Sequence, residues 1–137
     1  MAYISYSENG TNPLTKLLGH NPKLLKNWMA LLDSFYQDCS LDKELQEEVR
    51  KAVAYQIGCS YCMSHGCPTP IIKDIKTKIA TDFAKKVVQT ERKITEEEIE
   101  ALKEYFSEKE IAELSAFICY GTGLARFGNI LNVDISI

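Results

Sequence analysis

Apolar residues recur along this chain mostly at three- and four-residue intervals, the spacing that gathers them on one face of a helix. In "KLLKNWMALLDSFYQ" they fall at Leu24, Leu25, Trp28, Met29, Leu31, Leu32, Phe35 and Tyr36. Asn21 supplies an N-cap, and Pro22 suits a first turn whose N–H groups have no intrahelical partner. A second helix is predicted through "KELQEEVRKAVAYQI", capped by Ser40 or Asp42, with Leu45, Val49, Ala52, Val53 and Gln56 on one face and Gly58 as its stop. Beyond Pro68 and Pro70 the period resumes with Ile72, Ile75, Ile79, Phe83 and Val87. Thr95 with Glu98 forms a capping box for "EEEIEALKEYF", and Ser107 with Glu110 another for "EKEIAELSAFICYGTGLARFGNIL". No segment alternates as a strand does. The expected fold class is all-α with about five to six helices, one domain over residues 1–137, and residues 1–13 as a polar leader.

Composition narrows the function classes. With 137 residues, 45% of them hydrophobic, the chain buries a core without needing disulfides or metal as staples. A net charge of −3, with Lys and Glu intermixed, gives no basic field for nucleic acid. The opening "MAYISYSENGTNP" has neither a basic nor an apolar targeting region, and no apolar run reaches the ~20 residues of a spanning helix. The expectation is a soluble cytoplasmic protein with no membrane partner.

Candidate chemistry concentrates in "CSYCMSHGC", where three of the five cysteines and one of the two histidines occupy residues 59–67. In a reducing cytosol such a cluster binds metal or cycles between thiol and disulfide. If the stretch is helical, each residue turns about 100°, so Cys59 and His65 each lie one turn from Cys62, on opposite flanks. Cys62 is then the residue both neighbours reach. Gly58 would place Cys59 and Cys62 in a first turn whose free N–H groups favour a thiolate, and an adjacent imidazolium acts in the same direction. The matching chemistry is attack on a peroxide or disulfide, followed by closure to a disulfide on the second cysteine. The competing reading takes Cys59, Cys62, His65 and Cys67 as zinc ligands, a cramped set because structural zinc sites usually draw their second pair from a separate element. Cys39, Cys119 and His20 are read as structural or loop residues.

Together, "GHNPKLLKNWMALLDSF", "LDKELQEEVRKAVAYQIGCSYCMSH", "FAKKVV", "ITEEEIEALKEYFSEKEIAEL" and "FGNILNV" resemble the carboxymuconolactone decarboxylase family, specifically its alkylhydroperoxidase AhpD-like branch. The resemblance implies an AhpD-like helical domain assembling as a trimer or hexamer, possibly a dimer. It implies a peroxidase needing no cofactor, with a hydroperoxide substrate and a thiol reductant. In it Cys62 resembles the attacking cysteine, Cys59 the resolving one, His65 the histidine and Glu47 the relay glutamate. The alternative is a non-enzymatic helical module, zinc-stabilised or ligand-binding, in which the cluster is structural; lactone decarboxylation fits less well, because that branch lacks the CxxC. Two departures stand out. The family histidine lies four residues after the second cysteine, whereas His65 lies three after Cys62, and "GCPTP" leads almost directly into "IIKDIKTK", so about one helix is missing.

Overall fold

The computed structural model describes residues 1–89 and 93–135. Seven helices follow one another among the described residues: α1 (Pro13–Leu18), α2 (Pro22–Gln37), α3 (Lys43–Ile57), α4 (Ser60–Met63), α5 (Ile75–Gln89), α6 (Glu96–Lys103) and α7 (Glu108–Leu131). The fold is all-helical, and the count exceeds the expected five to six because α1 and α4 are too short to show a period. α1 also shortens the supposed leader. Asn12 accepts from the Thr15 N–H while Thr15 Oγ1 accepts from the Asn12 N–H, and Pro13 takes the first turn. The preceding residues are tied down as well, with the Tyr3 N–H donating to the Leu131 carbonyl and the Tyr6 hydroxyl to Asp134.

Helix α3 is the central element. It packs most extensively against α5 and next against α7. Leu45, Val49, Ala52 and Val53 are all buried, and Leu45, Val49 and Val53 share one core with Ala80, Phe83 and Ala84 of α5 and Leu114, Phe117 and Ile118 of α7. Small side chains at positions 80 and 84 let the α5 backbone come close to α3, so the buried stripe takes in these alanines beside the expected Ile79, Phe83 and Val87 and omits its first two members. Ile72 precedes the helix and Ile75 is 53% exposed. The buried Gln46 donates to the Phe35 carbonyl at 2.6 Å, satisfying one of the last carbonyls of α2. The expected caps Asn21, Thr95 and Ser107 each accept an N–H from three residues on, although Asp42 makes no side-chain cap. Among the described residues no helix is long and apolar enough to cross a membrane.

Candidate active site

Gly58 ends α3 in the left-handed region, at φ 74°, where a side chain would be strained. The chain therefore reverses at once, and Cys59 becomes the N-cap of α4, its Sγ accepting the Cys62 N–H at 3.3 Å. The two sulfurs stand 2.7 Å apart. Cys59 is 1% exposed, whereas Cys62 is partly exposed. Gly128 of α7 makes room for the buried sulfur, since a Cβ there would fall 2.8 Å from Cys59 Sγ.

Two thiols this close titrate as a unit. The Cys62 thiol donates to Cys59, and that bond, with the N–H groups of Cys62 and Tyr61 offsetting burial, lowers Cys59 to about 7. The same bond, together with burial and the charge on Cys59, raises Cys62. One proton is thus shared between the sulfurs, and of the two only Cys62 opens into the neighbouring cavity. A helix dipole has little to act through here, because α4 is a single turn; individual N–H groups, as expected of a first turn, do the stabilising.

The cavity occupies about 420 Å³ between α2, α3, α4 and α7. Its walls are mainly apolar, with Met29, Leu32, Ala54 and Leu124, and it is ringed by the rings of Tyr36, Tyr61 and Tyr120. Cys62, His65, Glu47 and Arg50 line it too. Burial raises all three tyrosines, so their hydroxyls stay protonated donors.

Helical geometry does not continue to residue 67. Gly66 at φ 130° turns the chain away after α4, and Cys67 is exposed in the loop that runs on to α5. His65 Nδ1 lies 2.8 Å from the Tyr61 carbonyl, so Nδ1 carries the hydrogen and Nε2 is the nitrogen left for proton transfer. Its ring packs edge-on against Tyr61 with centroids 4.8 Å apart. Among the described residues its hydrogen bonds involve Nδ1 only and none goes to a sulfur. No group of three or more His, Cys, Asp and Glu side chains among the described residues is placed to hold a metal ion, so Cys59, Cys62, His65 and Cys67 are not gathered into a ligand set.

Glu47 lines the same cavity as Cys62, and both its oxygens are taken by Arg50, at 2.6 Å from Nη2 and 2.8 Å from Nε. Those bonds, which outweigh burial, hold its carboxyl below the usual carboxylate range. Arg50 was not a sequence candidate. An arginine three residues after a glutamate reads as an ordinary surface pair, and only the fold shows its other contacts, to the Cys62 carbonyl at 3.3 Å and the His65 carbonyl at 3.0 Å.

An all-helical domain with this arrangement has the AhpD-like fold of solved peroxidase-related structures. The chain matches the structure of an uncharacterized peroxidase-related protein from Silicibacter sp. TM1040 with a TM-score of 0.74, at 19% identity, over 88% of this chain and 74% of that one. It also matches the alkylhydroperoxidase AhpD core of an uncharacterized peroxidase-related protein from Ralstonia eutropha JMP134 with a TM-score of 0.72, at 19% identity, over 87% and 74% of the two chains. No protein-family model and no curated protein matches the chain.

Proposed function

We propose that this chain is a thiol-dependent peroxidase of the AhpD-like branch of the carboxymuconolactone decarboxylase family, using Cys59 and Cys62 as its redox pair. The observation that carries the reading is the pair itself: two sulfurs 2.7 Å apart, one buried and one opening into an apolar cavity. Cys62 attacks, because a hydroperoxide entering the cavity meets it first. The shared proton passes to Cys59, the Cys62 thiolate attacks the terminal peroxide oxygen, and the O–O bond breaks. Cys62 becomes a sulfenic acid, and the departing alkoxide leaves as an alcohol on receiving a proton that the exposed His65 takes up from solvent at Nε2 and passes on. The Cys59 sulfur then attacks the Cys62 sulfur, expelling the hydroxyl as water and closing the disulfide. Two equivalents of an external thiol restore both cysteines and leave as the oxidised donor. Glu47 completes the set as a carboxylate linked to the cysteine turn through Arg50.

The test is hydroperoxide turnover with a dithiol donor. Cys62→Ser is expected to abolish turnover, and Cys59→Ser to permit a single sulfenic acid equivalent without a disulfide. Full turnover by the Cys62→Ser protein would refute the reading.

A further inference from the structure

Resting on the redox reading of Cys59 and Cys62, we propose that Arg50 is the positioning residue of this site, with Glu47 serving to hold Arg50 rather than to carry a proton. The resemblance casts the glutamate as a relay. A relay carboxylate must gain and lose a proton, and must reach the group it serves directly or through water. Here both Glu47 oxygens are occupied by the guanidinium, in a fork that joins Oε1 to Nη2 and Oε2 to Nε. The same hydrogen bonds keep Glu47 ionised well below neutral pH.

Arg50 has donors to spare for the cysteine segment. Nη1 reaches the Cys62 carbonyl and Nη2 the His65 carbonyl, so a single planar group fixes both ends of the turn that carries the attacking sulfur and the histidine. A one-turn helix has few internal bonds to hold that geometry, and within the segment the His65 N–H reaches the Cys62 carbonyl only at 3.3 Å. Arg50 adds two further bonds from α3, a 15-residue helix anchored in the core. It bonds the Cys62 carbonyl as well as Glu47, and its charge favours the Cys62 thiolate. The other ionisable groups facing Cys62 are Cys59, Tyr61 and His65 from its own segment, Tyr36 from α2 and Tyr120 from α7. Burial keeps the three tyrosines uncharged near neutral pH.

The two roles predict opposite responses. Reduced protein carrying Glu47→Gln, Arg50→Met, Arg50→Lys or both Glu47→Gln and Arg50→Met is alkylated with iodoacetamide across pH, and Cys62 labelling is read by peptide mass. Far-UV circular dichroism checks that each variant is folded. Arg50→Met is expected to move the Cys62 midpoint upward, slowing its labelling about three- to tenfold at neutral pH, as a shift of roughly half to one pH unit requires. Glu47→Gln, which leaves the cation in place, is expected not to raise the midpoint, and Arg50→Lys to fall between wild type and Arg50→Met. In disulfide closure after a peroxide pulse, the double variant should be no slower than Arg50→Met alone, since the glutamate acts only through the arginine. An unmoved midpoint in Arg50→Met overturns the proposal, as does a Glu47→Gln loss that exceeds Arg50→Met or adds to it. Because labelling requires no peroxide, a wild-type protein that labels as expected but never turns over hydroperoxide removes the enzymatic reading and leaves the positioning role intact.

Discussion

Gly128→Ala tests the packing of the cysteine pair more directly than replacing either cysteine. The new Cβ would lie 2.8 Å from Cys59 Sγ, whereas non-bonded contacts of this kind settle at roughly 3.5–4.0 Å, so the sulfur or the α7 backbone must give by about 1 Å. Cys59 is 1% exposed and the atoms of a helix backbone are not free to move singly, so the strain falls on the sulfur. Overpacking of this size costs about 1–3 kcal/mol, and replacing a helical glycine by alanine returns roughly 0.5–1 kcal/mol. The net expectation is a loss of about 1 kcal/mol, or a fall of about 3–5 °C in Tm for a chain of this size. Gly123 lies on the same helix with nothing within 4 Å of its would-be Cβ, so Gly123→Ala should raise Tm by about 2–4 °C. The second consequence is chemical. A sulfur displaced by about 1 Å is badly placed to close a bond of about 2.05 Å, so disulfide formation by diamide should slow at least about tenfold. Calorimetry of the reduced proteins and mass-resolved closure kinetics measure both effects. If Gly128→Ala melts above wild type, as Gly123→Ala does, and closes its disulfide at the wild-type rate, then Cys59 is not seated against α7 as described.

Two further outcomes follow from the same geometry. With Cys59 lowered to about 7, the reduced pair is fully protonated in acid and gains one thiolate as pH rises through that value, while the second ionisation is pushed up. Cysteine reactivity should therefore decline as pH drops below about 7; the thiolate ultraviolet absorbance of wild type minus that of the protein with both cysteines changed to Ser reads it, and a difference curve with no step near 7 contradicts it. In the second case, Glu48 accepts from both the Thr69 N–H and its hydroxyl and pairs with Lys51, with 12% of its side chain exposed. Burial works against its ionisation, but the bonds from Thr69 and Lys51 prevail and leave its pKa lowered. Glu48→Ala should cost about 1–3 kcal/mol in denaturant unfolding and speed amide exchange at Thr69; unchanged exchange there would show that Glu48 does not anchor the loop.

The helical period located the long elements because each has one face that must be buried, and the caps at Asn21, Thr95 and Ser107 marked where several begin. Gly58 was legible for a local reason: only a residue without Cβ ends a helix comfortably at φ 74°. The signals for α1 were present in Asn12, Pro13 and Thr15, but six residues are too few for a period to stand out. In α5 the stripe of large apolar residues held for Ile79, Phe83 and Val87, which pack in or against the core, but not for Ile72 and Ile75, and it left out Ala80 and Ala84, which are fully buried beside them. The cysteine pair and its cavity neighbour His65 were readable from spacing, although the helix that the argument assumed ends at Met63, before His65. Arg50 and Gly128 were not readable at all. Their importance lies in contacts across 12 or more positions of sequence, and nothing in their local surroundings marks them.

Helix α3 serves two masters at different azimuths of one rod. Val49 and Val53 are 0% and 2% exposed in the core, while Glu47, Arg50 and Ala54 face the cavity and Glu48 and Lys51 secure the loop beyond it. A rigid rod cannot adjust one face without turning the other. A core substitution such as Val53→Ala should therefore register in the reaction rate of Cys62 as well as in the melting temperature. For anyone engineering this scaffold, stability and thiol reactivity share one adjustable part, and repacking the core is a route to retuning the chemistry.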